Sequence, residues 1–426
     1  MKRLVLLGAV SLLSRQILPA ADTLSQGEVV RIALRDNAAI KAARAKWEMM
    51  KARVPQAGAW EDLRFGVDSV AGRFVDIPPN SFMDQTVMLE QELPVSGKNR
   101  SRARAATAEA GATFEELRRA ELDVVARSLA AYARLANGYA QLEVNRRTQG
   151  LLNQLVQISR SRYETGTATQ TDVLLAQTDA AKLLETRAQI ERDISEAQSA
   201  LNVLLNRSAQ QPLGRPAALV FKTRDLSLEK LQATAMTWRP ELQKAQSRIE
   251  AEKYRLQLAT RQWIPDPTLN VKAQRYNEAV QPASEVNVGI SIPLPWLNQK
   301  KYAAGVSEAR KSVEIAQREF EAARTETLGM VRDQLKKIET AASQFEIYRD
   351  KVLPIARQSV EVGRAAYESN SGGFLELNIV RRALQDAEST ALNHLTDYQA
   401  ALAELDAIVG NSVALQNGKG GRSETN

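Results

Sequence analysis

The sequence predicts a mixed, mainly α-helical fold, internally duplicated, in which very long helices are joined to short alternating strands. Three observations predict it. The chain of 426 residues repeats its own pattern at an offset of about two hundred residues: helix, two strands, a long Ala-rich helix, a Tyr-containing turn and another long helix. Four segments alternate apolar and polar residues with period two. Two proline-poor stretches show apolar residues at steps of three and four over lengths no globular core requires.

The duplication is visible residue by residue. Ala108-Glu109-Ala110 recurs as Ser307-Glu308-Ala309, and Glu92-Leu93-Pro94 as Ser291-Ile292-Pro293. Tyr163-Glu164-Thr165-Gly166 with Asp172 recurs as Tyr367-Glu368-Ser369-Asn370 with Glu376. The unit is too large for a solenoid repeat.

From the N-terminus, residues 1–21 read as a secretory signal: Lys2 and Arg3 are charged, Leu4 to Leu13 are mainly apolar, and Leu18-Pro19-Ala20-Ala21 offers small residues for cleavage. The first repeat is placed at 22–212, a connecting segment with Pro212, Gly214 and Pro216 at 213–225, the second repeat at 226–416, and a polar, Gly-rich, disordered tail at 417–426.

The first helix is predicted from Gly27 to about Val54, with Val30, Ala33, Leu34, Ile40, Ala43 and Trp47 at helical spacing, ended by Pro55 and Gly58. Leu63 to Asp68 and Val87 to Leu93 form the first strand pair, with Pro78-Pro79-Asn80 between them. Leu269, Val271 and Ala273, then Val286, Val288, Ile290 and Ile292, form the second. Each strand is apolar on one side and polar on the other, as a wall between lipid and water requires. A half-buried antiparallel sheet gives the same alternation. Trp60, Trp263 and Trp296 flank the strand ends, where indoles suit a membrane interface. Four strands cannot close a membrane barrel, and an open edge in lipid leaves backbone groups unpaired. Closure by three copies gives a 12-stranded β-barrel.

Ser101 to Tyr163 contains no proline and would span about 90 Å as one helix. Tyr302 to Tyr367 is comparable, with Pro354 as the expected kink. Leu328, Val331, Leu335 and Ile338 form a coiled-coil seam, as do Ile190, Ile194, Ala197, Leu201 and Leu204. Such helices call for lateral packing in a large assembly.

Composition removes several functions. The formal net charge of +7 includes Lys2, Arg3 and Arg15 of the signal segment, and the remaining Lys and Arg are interspersed with Asp and Glu, so no nucleic acid partner is expected. There is no cysteine for a disulfide framework or a lipid-anchored signal. The sole histidine, His394, supports neither a triad nor a histidine metal site. Met49 and Met50 are adjacent, about 100° apart around a helix, and poorly placed to chelate one ion. No phosphate-binding loop is present. The expectation is no enzyme and no cofactor, with transport energy supplied by a partner.

The duplicated order, the segment Gln91-Glu92-Leu93-Pro94-Val95-Ser96-Gly97-Lys98-Asn99-Arg100, and the turn carrying Tyr163, Gly166 and Asp172 resemble the TolC-type outer-membrane efflux family. The likeness covers nearly the whole chain beyond the signal segment. It implies a homotrimer in the outer membrane of a Gram-negative bacterium, whose four transmembrane β-strands per chain complete the barrel above a long periplasmic α-helical barrel. It also implies docking through a periplasmic adaptor, a membrane fusion protein, onto an inner-membrane pump of RND type.

The family places its Tyr-containing turns at the periplasmic entrance tip and adaptor contact. The corresponding residues are Tyr163, Gly166 and Asp172 in one copy and Tyr367, Asn370 and Glu376 in the other. Three Glu376 carboxylates on a threefold axis would form a cation-attracting selectivity ring; a solvated carboxylate favoured by the helix dipole is the alternative reading.

Departures from the family pattern are Ile379 at a place where some members carry a second acidic ring, Gly372 in place of a gate-locking arginine, and Asn370 for the second tip glycine. Asn tolerates positive φ. Lys98-Asn99-Arg100 and Ala57-Gly58-Ala59-Trp60-Glu61-Asp62 resemble members serving heavy-metal cation pumps. The functional expectation is therefore a passive gated exit duct for metal cations or small toxic compounds. The alternatives are a type I protein secretion channel and a secreted coiled-coil scaffold or adhesin.

Overall fold

A computed structural model describes residues 23–69, 84–276, 283–369 and 371–411. The expected signal segment, the turn at Pro78-Pro79-Asn80, Asn370 and the expected tail lie outside them. The chain divides into two compact units, each drawing on both sequence copies: Met1–Val29, Leu129–Lys222 and Gln344–Thr396 form the first, and Val30–Ser128, Thr223–Ser343 and Asp397–Asn426 the second.

The expected first helix is two. Helix α1 (Gln26–Asp36) stops at Asn37, whose Oδ1 accepts from the Ala39 and Ile40 N–H groups at 2.9 and 3.3 Å and starts α2 (Ala38–Gly58). An asparagine that satisfies orphan donors competes with helix continuation at its own position. Pro55 does not end α2, which runs on to Gly58. The proline sits in the last turn, where only one further carbonyl loses its donor.

All four expected strands form: β1 (Arg64–Ser69), β2 (Asp84–Glu92), β3 (Thr268–Tyr276) and β4 (Ala283–Ser291), paired antiparallel in the order β1-β2-β3-β4. The register stacks Phe65, Leu89, Val271 and Val288 in one row across the sheet and Val67, Val87, Ala273 and Val286 in the next. The opposite face carries Asp68, Thr86, Gln274 and Glu285 in one row and Gly66, Met88, Lys272 and Asn287 in another. Because the side-chain period is two, this register keeps the apolar residues on one face. That face is open: Phe65, Val67, Val286, Val288 and Ile290 are each at least 60% exposed. Strands β1 and β4 have no outer partner among the described residues.

The second unit holds the sheet and the turn that leads into α3 (Lys98–Glu164). Asp266, 6% exposed, accepts from the Ser96 N–H and Oγ at 2.8 Å each and from Lys98 Nζ at 3.0 Å. Lys98 also donates to the Ile264 carbonyl at 2.8 Å. Gly97 is required here: it takes φ +72°, and a Cβ would collide with the Arg261 guanidinium. Within the same unit, Glu116 of α3 pairs with Lys46 of α2 at 2.7 Å and with Lys244 of α6 (Pro240–Arg261) at 2.6 Å. Trp47 packs on Phe114 with ring centres 5.1 Å apart.

Helix α3 is continuous over 67 residues, about 100 Å of axis. Helix α4 (Gln170–Leu204) follows it, and α5 (Leu228–Trp238) opens the second copy. The second long helix is interrupted where Pro354 predicts: α7 (Gln299–Ile347) passes through a π-helical turn at Tyr348–Val352 into α8 (Leu353–Glu368). The Leu353 N–H reaches back five residues to the Tyr348 carbonyl, so the backbone widens before a proline that cannot donate. Helix α9 (Phe374–Val409) is the last helix among the described residues.

In the first unit, the Tyr132 hydroxyl donates to the Leu24 carbonyl at 2.9 Å and accepts from the Ala217 N–H at 2.9 Å. It thereby ties the N-terminal segment and the connecting segment to α3. No helix among the described residues is long and apolar enough to cross a membrane.

Candidate functional site

The two Tyr-containing turns lie in the first unit and are built alike. Helix α3 ends where Gly166 takes φ +73° and its N–H reaches the Tyr163 carbonyl at 3.0 Å, a left-handed stop that glycine makes without strain. The Thr165 and Thr167 hydroxyls, 3.1 Å apart, both donate to the Arg162 carbonyl, at 3.0 and 3.1 Å. At the end of α8 the Ser369 and Ser371 hydroxyls, 2.9 Å apart, both donate to the Ala366 carbonyl at 3.2 Å. Each helix also ends on an Arg–Glu pair at i, i+4: Arg160–Glu164 and Arg364–Glu368. The hydroxyl pairs escaped the sequence reading, although the Thr-x-Thr and Ser-x-Ser spacing after each Tyr-Glu was there to find them.

The two tyrosines differ. Tyr163 is 46% exposed, whereas Tyr367 is 2% exposed. The Tyr367 ring lies in a core with Leu152, Leu155, Ala176, Leu183, Phe374 and Leu377. Its hydroxyl is 2.8 Å from Ser159 Oγ, and the Arg162 guanidinium stands over its ring at 4.5 Å while donating to its carbonyl. Phe374 meets the ring edge to face, with centres 5.9 Å apart.

The two acidic residues differ as well. Asp172 is spent on a capping box: its backbone N–H reaches Thr169 Oγ1 at 3.2 Å and its Oδ2 accepts the Thr169 N–H at 3.1 Å. Gly373 occupies the position of Thr169 in the second copy and has no side chain to return the bond. Glu376 is left exposed in the first turn of α9 with no hydrogen-bond or ion-pair partner among the described residues, flanked by exposed Leu375 and Ile379.

Behind the turns lies a buried ionic cluster absent from the sequence reading. Asp179 of α4 is 5% exposed and meets Arg381 of α9, itself 4% exposed, at 3.4 Å, and also Arg382. Asn378 Oδ1 accepts from Arg381 at 2.9 and 3.2 Å. Burial acts to raise the Asp179 carboxyl, but bonds from Arg382 and Asn378 and the two positive charges outweigh it and hold the group below the usual range. Burial pushes Arg381 down, against the pull of Asp179. These partners lie 202 and 203 residues apart, where no local periodicity can pair them.

Two further expectations can be placed. Lys98 is held in the Asp266 pair at 12% side-chain exposure. Trp60, Trp263 and Trp296 are 61, 57 and 48% exposed and sit just outside β1, β3 and β4, at the sheet end that joins the helices. No group of three or more metal-ligating side chains occurs among the described residues.

The model of the outer membrane efflux protein family matches residues 29–207 and again 232–411, most of the chain. The chain belongs to that family. The double match covers the two copies of the helix-strand-helix pattern. This efflux protein is 24% identical over 351 residues to the toluene efflux pump outer membrane protein TtgF of Pseudomonas putida, covering 76% of this chain and 70% of the relative. The same figures hold for the probable efflux pump outer membrane protein SepC, from another strain of Pseudomonas putida. Among solved structures, the outer-membrane channel OprN has a TM-score of 0.77 at 16% identity, covering 91% of this chain and 90% of its own. VceC of Vibrio cholerae gives 0.74 at 20% identity, covering 91% and 96%. CusC gives 0.75 at 17% identity, covering 91% and 92%. This efflux protein is thus an outer membrane protein with the fold of those channels.

Proposed function

We propose that three copies of this efflux protein form a passive exit duct. Its twelve strands would close a barrel in the outer membrane, and its helices would form a periplasmic tunnel. The observation that carries this reading is the four-stranded sheet with one exposed apolar face and two edge strands without partners among the described residues. In lipid, such a sheet is stable only when its edges are paired by further strands. The rows Phe65–Val288 and Val67–Val286 then face lipid, the rows of Lys272 and Glu285 face water, and Trp60, Trp263 and Trp296 sit at the periplasmic interface.

Both Tyr-containing turns form the entrance and the surface for a periplasmic adaptor that links the duct to an inner-membrane pump of RND type. Tyr163, Gly166 and Asp172 make one lip; Tyr367, Asn370 and Glu376 make the other. Glu376, with no partner to neutralise it among the described residues, supplies the selectivity ring, while Asp172 is committed to capping. Small toxic compounds are favoured as cargo over metal cations. One relative is named for toluene.

The test is single-channel recording in a planar bilayer, with the detergent-extracted mass measured first. Trimeric, cation-preferring pores whose preference falls in Glu376→Gln support duct and ring together. Trimeric pores with unchanged selectivity keep the duct and discard the ring. A monomer without conductance rejects both.

A further inference from the structure

The two faces that α3 and α9 present in the first unit are chemically different. One face carries amides and acids, with the Asn137 amide donating to Asn393 Oδ1 at 2.9 Å. The other opens on a cavity of about 460 Å³ bounded by α3, α8, α9, the end of α7 and the connecting segment at 215–218. Its floor is apolar, with Val144 of α3, Phe345 of α7, and Leu392 and Leu395 of α9. Around it stand four guanidinium groups, Arg147, Arg215, Arg349 and Arg357, against two carboxylates, Glu143 and Glu388.

Three of the four guanidinium groups have a carboxylate beside them, and the fourth, Arg215, has none among the described residues. Glu388 is shared between Arg147 at 3.6 Å and Arg357 at 3.4 Å. Arg349 stacks over Phe221 and Phe345 at 5.3 and 5.7 Å and pairs with Asp350, half exposed to water. The Arg215 guanidinium is held 5.6 Å over the Tyr139 ring, so its N–H edge is oriented without being used.

We propose that this cavity binds an amphipathic anion. An acyl or aryl body of roughly ten carbon atoms would fill the apolar floor, in the size range of small-ligand sites, and a carboxylate would meet Arg215 at the rim. The site stands apart from the Glu376 turn and does not depend on the pore reading, so binding can be lost with conductance intact, or the reverse.

The test uses the full chain in lipid nanodiscs, with decanoate, 2-naphthoate and uncharged decanol as probes in equilibrium dialysis. Arg215→Gln removes the charge. Ala140→Phe, on the cavity wall, fills the floor without touching any ion pair. Wild type should bind an anion saturably, and each variant should weaken it by about tenfold or more, the effect of losing a charged hydrogen bond or the apolar seat. Decanoate binding without naphthoate assigns a lipid-derived acyl anion; naphthoate without decanoate assigns an aryl acid; both assign the shared chemistry. With uptake by protein-free nanodiscs subtracted, equal uptake by wild type and both variants, or tighter uptake of decanol than of decanoate, overturns the site.

Discussion

The Tyr367 and Ser159 hydroxyls meet at 2.8 Å in the core behind the turns, while Tyr163, the repeat counterpart of Tyr367, is 46% exposed. Duplication has kept the residue and changed its work. Tyr367→Phe should cost about 1 kcal/mol through the lost hydrogen bond, and Tyr367→Ala roughly 3–5 kcal/mol through the cavity. Tyr163→Phe should lie within about 0.5 kcal/mol of wild type, as for ordinary surface changes. Hydrogen exchange over residues 150–160 checks this: protection should fall in the order wild type, Tyr367→Phe, Tyr367→Ala. Equal protection in all three would remove Tyr367 from the core's energetics.

Asp179 predicts an acid-sensitive lock between α4 and α9. Its carboxyl is held below the ordinary value of 3.8, so the cluster's stabilisation is complete above that value and is lost as pH falls through the lower folded-state value. Between neutral pH and about pH 5, protection of α4 and α9 amides should therefore be flat, with a decline only in stronger acid. Asp179→Asn should abolish that acid step and lower protection at neutral pH by up to roughly 3–5 kcal/mol, because Arg381 loses its counter-charge at a buried site, whereas half-exposed Arg382 is left to water. An unchanged exchange profile in the mutant would show that the cluster holds nothing.

The two first-turn acids should separate cleanly. Asp172→Ala removes half a capping box and should destabilise the start of α4 by about 1 kcal/mol, visible as fraying at residues 170–174. Glu376→Gln should loosen the start of α9 less, since a fully exposed dipole interaction lies toward the lower end of about 0.3–1 kcal/mol and no capping bond is lost with it. If Glu376→Gln frays α9 as strongly as Asp172→Ala frays α4, Glu376 is a helix-stabilising residue and the ring loses its rationale.

The strands, the long helices and the family were legible because each rests on local periodicity repeated twice. Val286, Val288 and Ile290 announce a strand face by themselves, and Pro354 announces an interruption. Asn37 and Pro55 were misread for local reasons as well: a mid-pattern Asn was given no capping role, and a Pro in a last turn was given too much breaking power. The ionic cluster was invisible, since Asp179 and Arg381 read as solvated helix charges until folding brings together residues 202 apart. Lys98 was visible in the sequence but its partner was not, because Asp266 lies 168 residues away.

The last test concerns that partner. Burial acts to raise the Asp266 carboxyl, but the Ser96 N–H and hydroxyl and the Lys98 ammonium overcome it and hold the group low. Asp266→Asn would leave Lys98 nearly buried with its charge uncompensated, a loss of roughly 3–5 kcal/mol where the sheet joins α3. Lys98→Met exchanges that charge for an apolar side chain, yet leaves Asp266 with the two Ser96 donors, so it should be milder. The combination Lys98→Met with Asp266→Asn should recover part of the loss, because neither charge is then left alone. Thermal unfolding of the detergent-extracted protein reads all three. Additive losses in the double variant would mean that Lys98 and Asp266 act independently, and the junction would need another explanation.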